Sequence, residues 1–148
     1  MKLIQMVTRV LCVVIFTLCI TLSPAMAETL ISHAPESATA SILEPANGDK
    51  VPSTFTVKFG LSGMGVAPAG VDVDNTGHHH LLVDLEALPE LDQPLPKGEH
   101  ILHFGGGQTE ADLTLSPGKH TLQLLLGNYQ HVPHDHPVAS KKIMVNVS

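Results

Sequence analysis

After about residue 40, apolar residues recur at every second position through most of the chain. In "TFTVKFGL", Phe55, Val57, Phe59 and Leu61 fall on one face, with Thr54, Thr56 and Lys58 on the other. "HHHLLVDL" places Leu81, Val83 and Leu85 together, and "ADLTL" sets Leu113 and Leu115 against Asp112 and Thr114. "KHTLQLLLG" groups Leu122, Leu124 and Leu126, and "KIMVNV" groups Ile143, Val145 and Val147. A period of two puts successive side chains on opposite faces of a strand. The pattern predicts strands over 40–44, 54–61, 78–85, 100–104, 109–115, 119–127 and 138–147. Their shared core is expected to hold Phe55, Val57, Phe59, Leu81, Val83, Leu122, Leu124, Leu126, Ile143 and Val145. No segment carries the 3.6-residue period of a long amphipathic helix. Turn chemistry separates the strands: Asn47 with Gly48, Pro117 with Gly118, and three glycines at 105–107. About seven short strands with turns between them suggest an all-β fold, an immunoglobulin-like sandwich of two antiparallel sheets. The tryptophan of antibody domains is absent from the chain. A small open barrel is the competing closure.

The first 27 residues read differently. Lys2 and Arg9 form a basic start, and residues 10–22 are apolar but too few to span a bilayer comfortably. "AMA" at 25–27 supplies small residues before a cleavage point. That order is a secretory signal peptide cleaved after Ala27. The expected organisation is then a signal peptide at 1–27, a flexible lead-in at 28–39 and one domain at 40–148, periplasmic or secreted. Both cysteines, Cys12 and Cys19, leave with the signal. The exported domain therefore has no disulfide, no thiol nucleophile and no cysteine ligand. It keeps all 14 acids and loses Lys2 and Arg9, so it is more acidic than the −6 of the whole chain. An acidic chain without a basic patch excludes nucleic acid as an expected partner. Its field favours cations. No membrane span is expected in the exported chain, which is expected to be a monomer.

Strand direction sorts the ten histidines. If successive strands alternate direction, His78, His79 and His80 begin a strand at the end where His103 finishes one. The loop that carries His131, His134 and His136 lies at that end too. His100 and His120 fall at the opposite end, and His33 lies in the lead-in. Neutral imidazole is the commonest metal ligand. His78 and His80 point to one face with Cα atoms about 6.5 Å apart, a suitable chelating pair. Without thiolates, such a set suits Zn²⁺, Cu²⁺ or Ni²⁺. Affinity should then fall as pH drops through about 6.5, because a protonated imidazole cannot ligate. The competing reading is a solvated loop end whose histidines cap strands and bond carbonyls. Gly105, Gly106 and Gly107 are either a tight turn or backbone brought close to a ligand. "VDVDNTG" half-matches a calcium loop through Asp72, Asp74, Thr76 and Gly77, but Val83 stands where the bidentate Glu belongs, which favours a turn. No nucleophile elbow or dinucleotide fingerprint is present. A metal-dependent hydrolase would need Glu110 or Asp135 as base.

"GMGVAPAGVDVDNTGHHHLLVD" and "LHFGGGQTEADLTLSPGKHTLQLLLGNYQHVPH" resemble a bacterial exported family, domain of unknown function 4399. The likeness runs from about Leu43 to Val147. It implies export and a compact domain, and no particular chemistry. The family motif carries onto His78, His79, His80, His103, His131 and His134, the candidate metal ligands, and onto Gly105, Gly106, Gly107, Gln108 and Glu110, candidate binding residues. His136 departs from it, standing where the pattern has proline. The expected function is a binding module with a His- and Gly-rich end, its leading ligand a zinc or copper ion. The alternatives are an envelope domain that recognises a protein or glycan, and a metal-dependent hydrolase.

Overall fold

The computed structural model describes residues 30–148, among which there are nine β-strands and no helix. The signal peptide lies outside the described residues. The strands are β1 (Thr39–Glu44), β2 (Lys50–Val51), β3 (Thr54–Ser62), β4 (Gly65–Val66), β5 (Thr76–Val83), β6 (Ile101–His103), β7 (Glu110–Thr114), β8 (Gly118–Gly127) and β9 (Ile143–Val147). They form two sheets, not a barrel: β1–β3–β7 packs against β2–β9–β8–β5–β4, with β6 also paired to β5. The main ladders are antiparallel, as expected for an immunoglobulin-like sandwich. No helix among the described residues is long and apolar enough to cross a membrane.

The period-two positions fill the space between the sheets. Phe55, Val57, Phe59 and Leu113 meet Leu81, Val83, Leu122, Leu124, Leu126 and Val145 in one buried cluster, with Ile143 at its margin. Each fully buried side chain of this size contributes about 1.5–3 kcal/mol. Leu85 is not among them. The expected strand at 78–85 stops at Val83, because Asp84 takes a positive φ of 56° and turns the chain over the sheet's outer face. Residues 84–100 then run across that face as an irregular strap. Their Leu85, Leu88, Leu91 and Leu95 pack on Leu82 and Leu125 in a second, smaller core. As a result, β5 is covered on both faces, and every residue from Gly77 to Val83 is buried.

Two further boundaries move. The last expected strand shortens to 143–147, and within 138–142 only an isolated bridge joins Ala139 to Leu125. There the Ser140 hydroxyl accepts from the Leu124 amide at 2.8 Å. The described part of the lead-in makes contacts with the domain. Ala34 is fully buried, its amide donates to Asp135 Oδ1 at 2.9 Å, and the Leu30 carbonyl accepts from Asn128 Nδ2 at 2.7 Å.

Candidate metal centre

Alternation along β5 separates the three consecutive histidines. His78 and His80 face outward beneath the strap, while His79 faces the core. His80 lies opposite His103 in the β5–β6 ladder, and His78 lies opposite Gly127 in the β5–β8 ladder. His131 arrives from the loop after β8. It holds a positive φ of 67°, a conformation uncommon outside glycine, which the surrounding structure must enforce. Buried Asn128 does much of that work. Its Oδ1 accepts from the amides of Gln130 and Val132 at 2.9 and 3.0 Å, and its carbonyl accepts from the His131 amide at 2.9 Å. The strap closes the arrangement, with the Leu95 amide donating to the His131 carbonyl at 3.0 Å.

Four rings result, 4.8 Å between the centroids of His78 and His80 and 4.6 Å between those of His103 and His131. One ligand atom from each of His78, His80, His103 and His131 lies within 4.8 Å of all the others. Two glycines make room. A Cβ on Gly127 would sit 2.8 Å from Cε1 of His80, and one on Gly105 would sit 2.5 Å from Nε2 of His103. Larger residues would push these rings off the centre.

The rings lack partners. His78 Nε2 and His131 Nδ1 share one hydrogen bond at 3.0 Å. His78 Nδ1, both nitrogens of His80 and His103 Nε2 are buried with none. Each unsatisfied buried polar group costs about 1–3 kcal/mol. A transition-metal ion is a group that could supply what these nitrogens lack. Zn–N bonds of about 2.0–2.1 Å would require tetrahedral ligand atoms to close to about 3.3 Å of one another. Burial first, and the neighbouring imidazoles second, push His78 down to about 4 and His80 down to about 3. Burial likewise lowers His103 and His131, and the Lys97 charge adds to it. His78 and His80 therefore stay neutral, in ligating form, well below pH 6.5, and burial favours the neutral form of His103 and His131 too. An ion held on these rings would keep its ligands to a lower pH than ordinary imidazoles allow.

The remaining sequence candidates lie elsewhere. His79 packs on Phe59, ring centroids 5.2 Å apart, with neither nitrogen bonded. His134 is buried and bonds the Thr76 carbonyl at 3.3 Å, beside a separate cleft of about 260 Å³. His136 stands edge-on to His33. Gly105 serves the centre by accommodating His103, while Gln108 closes the glycine turn by accepting from the Gly106 amide at 2.8 Å. Gly107 holds a positive φ of 80° in that turn. Glu110 lies opposite Lys58 on the other sheet. Asp135 accepts from His33 and from the Ala34 amide, contacts that hold its carboxyl well below the usual range. Neither acid is in the four-residue group. The calcium half-match is a turn, closed by Thr76 Oγ1 donating to the Val73 carbonyl at 2.7 Å.

At the far end of β5, His100 bonds the Val83 carbonyl at 2.9 Å. His120 bonds Asp84 Oδ2 at 2.7 Å and the Ser116 carbonyl at 2.9 Å. Pattern reading missed Asn128 and the strap. The one signal for Asn128 is a polar residue directly after the last strand glycine; the strap leucines have no period to betray them.

Among curated proteins and among solved structures, nothing matches this chain. A family model does: that of the domain of unknown function (DUF4399) matches residues 57–148, from β3 through the centre to the C-terminus, and the chain belongs to that family.

Proposed function

We propose that this is the binding domain of an exported protein and that it holds one Zn²⁺ or Cu²⁺ ion on His78, His80, His103 and His131. The observation that carries the reading is the convergence of four imidazoles, two buried and two half-buried, that leave four buried ring nitrogens without a partner. A structural polar cluster would satisfy its own nitrogens. Four neutral nitrogen donors match the closed, four-coordinate habit of zinc, and equally a tetragonal copper(II) site. Asp135 is engaged with His33 and the Ala34 amide, and Glu110 lies on the other sheet. Export rests on the basic, apolar and small-residue order of residues 1–27. A thiol-free nitrogen site suits an oxidising compartment.

The test is metal content. Untagged protein beginning at Glu28, purified without chelator, should carry about one zinc or copper per chain and release it to a strong chelator. Wild-type protein that takes up neither ion in a calorimetric titration sinks the reading. A co-purifying protein or glycan that survives chelation would point to an interaction domain instead.

A further inference from the structure

Three of the four ring donors stand on strands. His78 and His80 are held by the β5–β8 ladder, and His103 by its pairing with His80. His131 comes from a loop, so its place in the centre is the one that no sheet ladder sets. Residues 128–135 are tied down at both ends, and at both ends the partner is the lead-in. At one end Asn128 Nδ2 donates to the Leu30 carbonyl at 2.7 Å. The same side chain turns its Oδ1 to the amides of Gln130 and Val132, on either side of His131. At the other end the Asp135 amide donates to the Ser32 carbonyl at 3.0 Å. The Asp135 carboxylate accepts from the Ala34 amide at 2.9 Å and bonds His33 Nδ1 at 2.8 Å. These contacts cross 98 to 102 positions of chain, so they are tertiary and not part of the turn itself. Between the two ties His131 holds its positive φ of 67°, a conformation that persists only where the surroundings over-determine it. Ala34 is fully buried and seats the strip, whereas Leu30, Ile31 and His33 are exposed.

We propose that the lead-in, residues 30–34, is a clamp on the metal centre: by holding Asn128 and Asp135 it fixes the loop that presents His131, and so sets the affinity for the ion. The proposal rests on the metal reading above. Asn128 is then a positioning residue, acting on the ion through His131. A donor loop already held in its binding geometry loses less freedom when the ion arrives. Groups that orient a metal's ligands in this way are worth about 10–100-fold in affinity. The coupling is reciprocal, so the ion tightens the lead-in by the factor that the lead-in tightens the ion. Drawing the exposed strip off the surface frees His131 and loosens the ion, which makes the lead-in the release handle of the centre.

The test uses the processed protein and Zn²⁺ alone. Asn128→Asp keeps an Oδ1 for the Gln130 and Val132 amides but cannot donate to the Leu30 carbonyl, so it breaks only the tie to the lead-in. Asp135→Ala breaks the tie at the other end. Each should weaken Zn²⁺ binding about tenfold in a calorimetric titration. Asp135→Asn, which keeps an acceptor for the Ala34 amide, should restore most of the loss. The two losses should combine to less than their product, because both act through one strip; independent local damage would multiply. A second arm uses wild type alone, so a variant that folds poorly leaves the test intact. Zn²⁺ should slow hydrogen exchange of the Ala34 and Asp135 amides about tenfold, a response that a purely structural contact does not give. Equal Zn²⁺ affinity in wild type, Asn128→Asp and Asp135→Ala overturns the clamp while the metal reading stands, and so does exchange at Ala34 and Asp135 indifferent to Zn²⁺. Wild type that binds no metal overturns both.

Discussion

At the His78 end of β5, four imidazoles crowd together and leave four buried ring nitrogens without partners; at the Val83 end, His100 and His120 bond a carbonyl and a carboxylate. The residue type and the sheet are the same. At the Val83 end, histidine behaves as a structural polar group and brings its acceptors with it. Asp84 receives His120 and also the Thr121 amide, and this partnership raises the His120 pKa. At the His78 end, the fold buries groups it does not satisfy and lowers their pKa values by doing so. The two ends differ both in burial and in partners: His100 is exposed and His120 half-buried, each with an acceptor, whereas His78 and His80 are buried with unpartnered nitrogens.

The largest expected effect breaks the comparison at the level of ligand binding. His80→Ala with His131→Ala should lower Zn²⁺ or Cu²⁺ affinity on the order of a thousandfold or more, because two of four donors are gone. The matched pair His100→Ala with His120→Ala should leave affinity unchanged, as should His134→Ala. Calorimetric titration of the three variants reads this directly, and equal losses at both ends would erase the distinction.

Acid should separate the ends next. In the unfolded chain the histidines take up protons near 6.5, whereas folded His78 and His80 resist to about 4 and 3. Between pH 6.5 and 4 the unfolded state therefore binds more protons, and metal-free protein should lose stability as pH falls, by on the order of a few kcal/mol. His120 works with the opposite sign. Its raised pKa contributes stability that is present below pH 6.5 and lost as pH rises through the raised value. Denaturant midpoints from pH 7 to 4 should fall for wild type and fall less for His78→Leu. A flat wild-type profile would mean that the cluster is solvated.

The smallest effect sharpens the partnered end. Asp84→Ala removes one of the two partners of His120 and leaves the Thr121 amide without its carboxylate acceptor, at a cost of about 1–2 kcal/mol by chemical denaturation. Metal affinity should be unaffected. A change in affinity without a change in stability would show that the two ends communicate along β5.

Most of the sandwich is legible in the sequence because a two-sided sheet with one buried face leaves a period of two. Val57, Leu81, Leu124 and Val145 were placed in this way, and all are buried. β2 and β4, two residues each, are too short to produce a period. The strap hides for a different reason: it is held by scattered leucines and single hydrogen bonds. Its effect is to bury the outer face of β5, so the alternation in "HHHLLVD" records which core a side chain joins and no longer whether it is buried. The histidine cluster was partly legible. Counting strand directions brought His78, His103 and His131 to one end, and the alternation gave His80. The same counting admitted His79 and His134, because end-to-end placement does not say which face a ring takes. Only the turn of residues 128–137, fixed by Asn128, decides that His131 reaches the rings while His134 lies against Thr76.

Gly127 has a meaning for descent as well as for packing. The space that its missing side chain leaves is occupied by the His80 ring, so the two positions form one lock-and-key unit divided between β5 and β8. An alanine at 127 is a change of one carbon, yet it would meet an imidazole before it met solvent. Related chains are therefore expected to exchange these residues together: wherever 127 acquires a side chain, 80 should cease to be histidine, and the remaining three rings should drift apart in the sequence record as ordinary core positions do. A chain that keeps histidine at 80 while enlarging 127 would show that the ring has another seat.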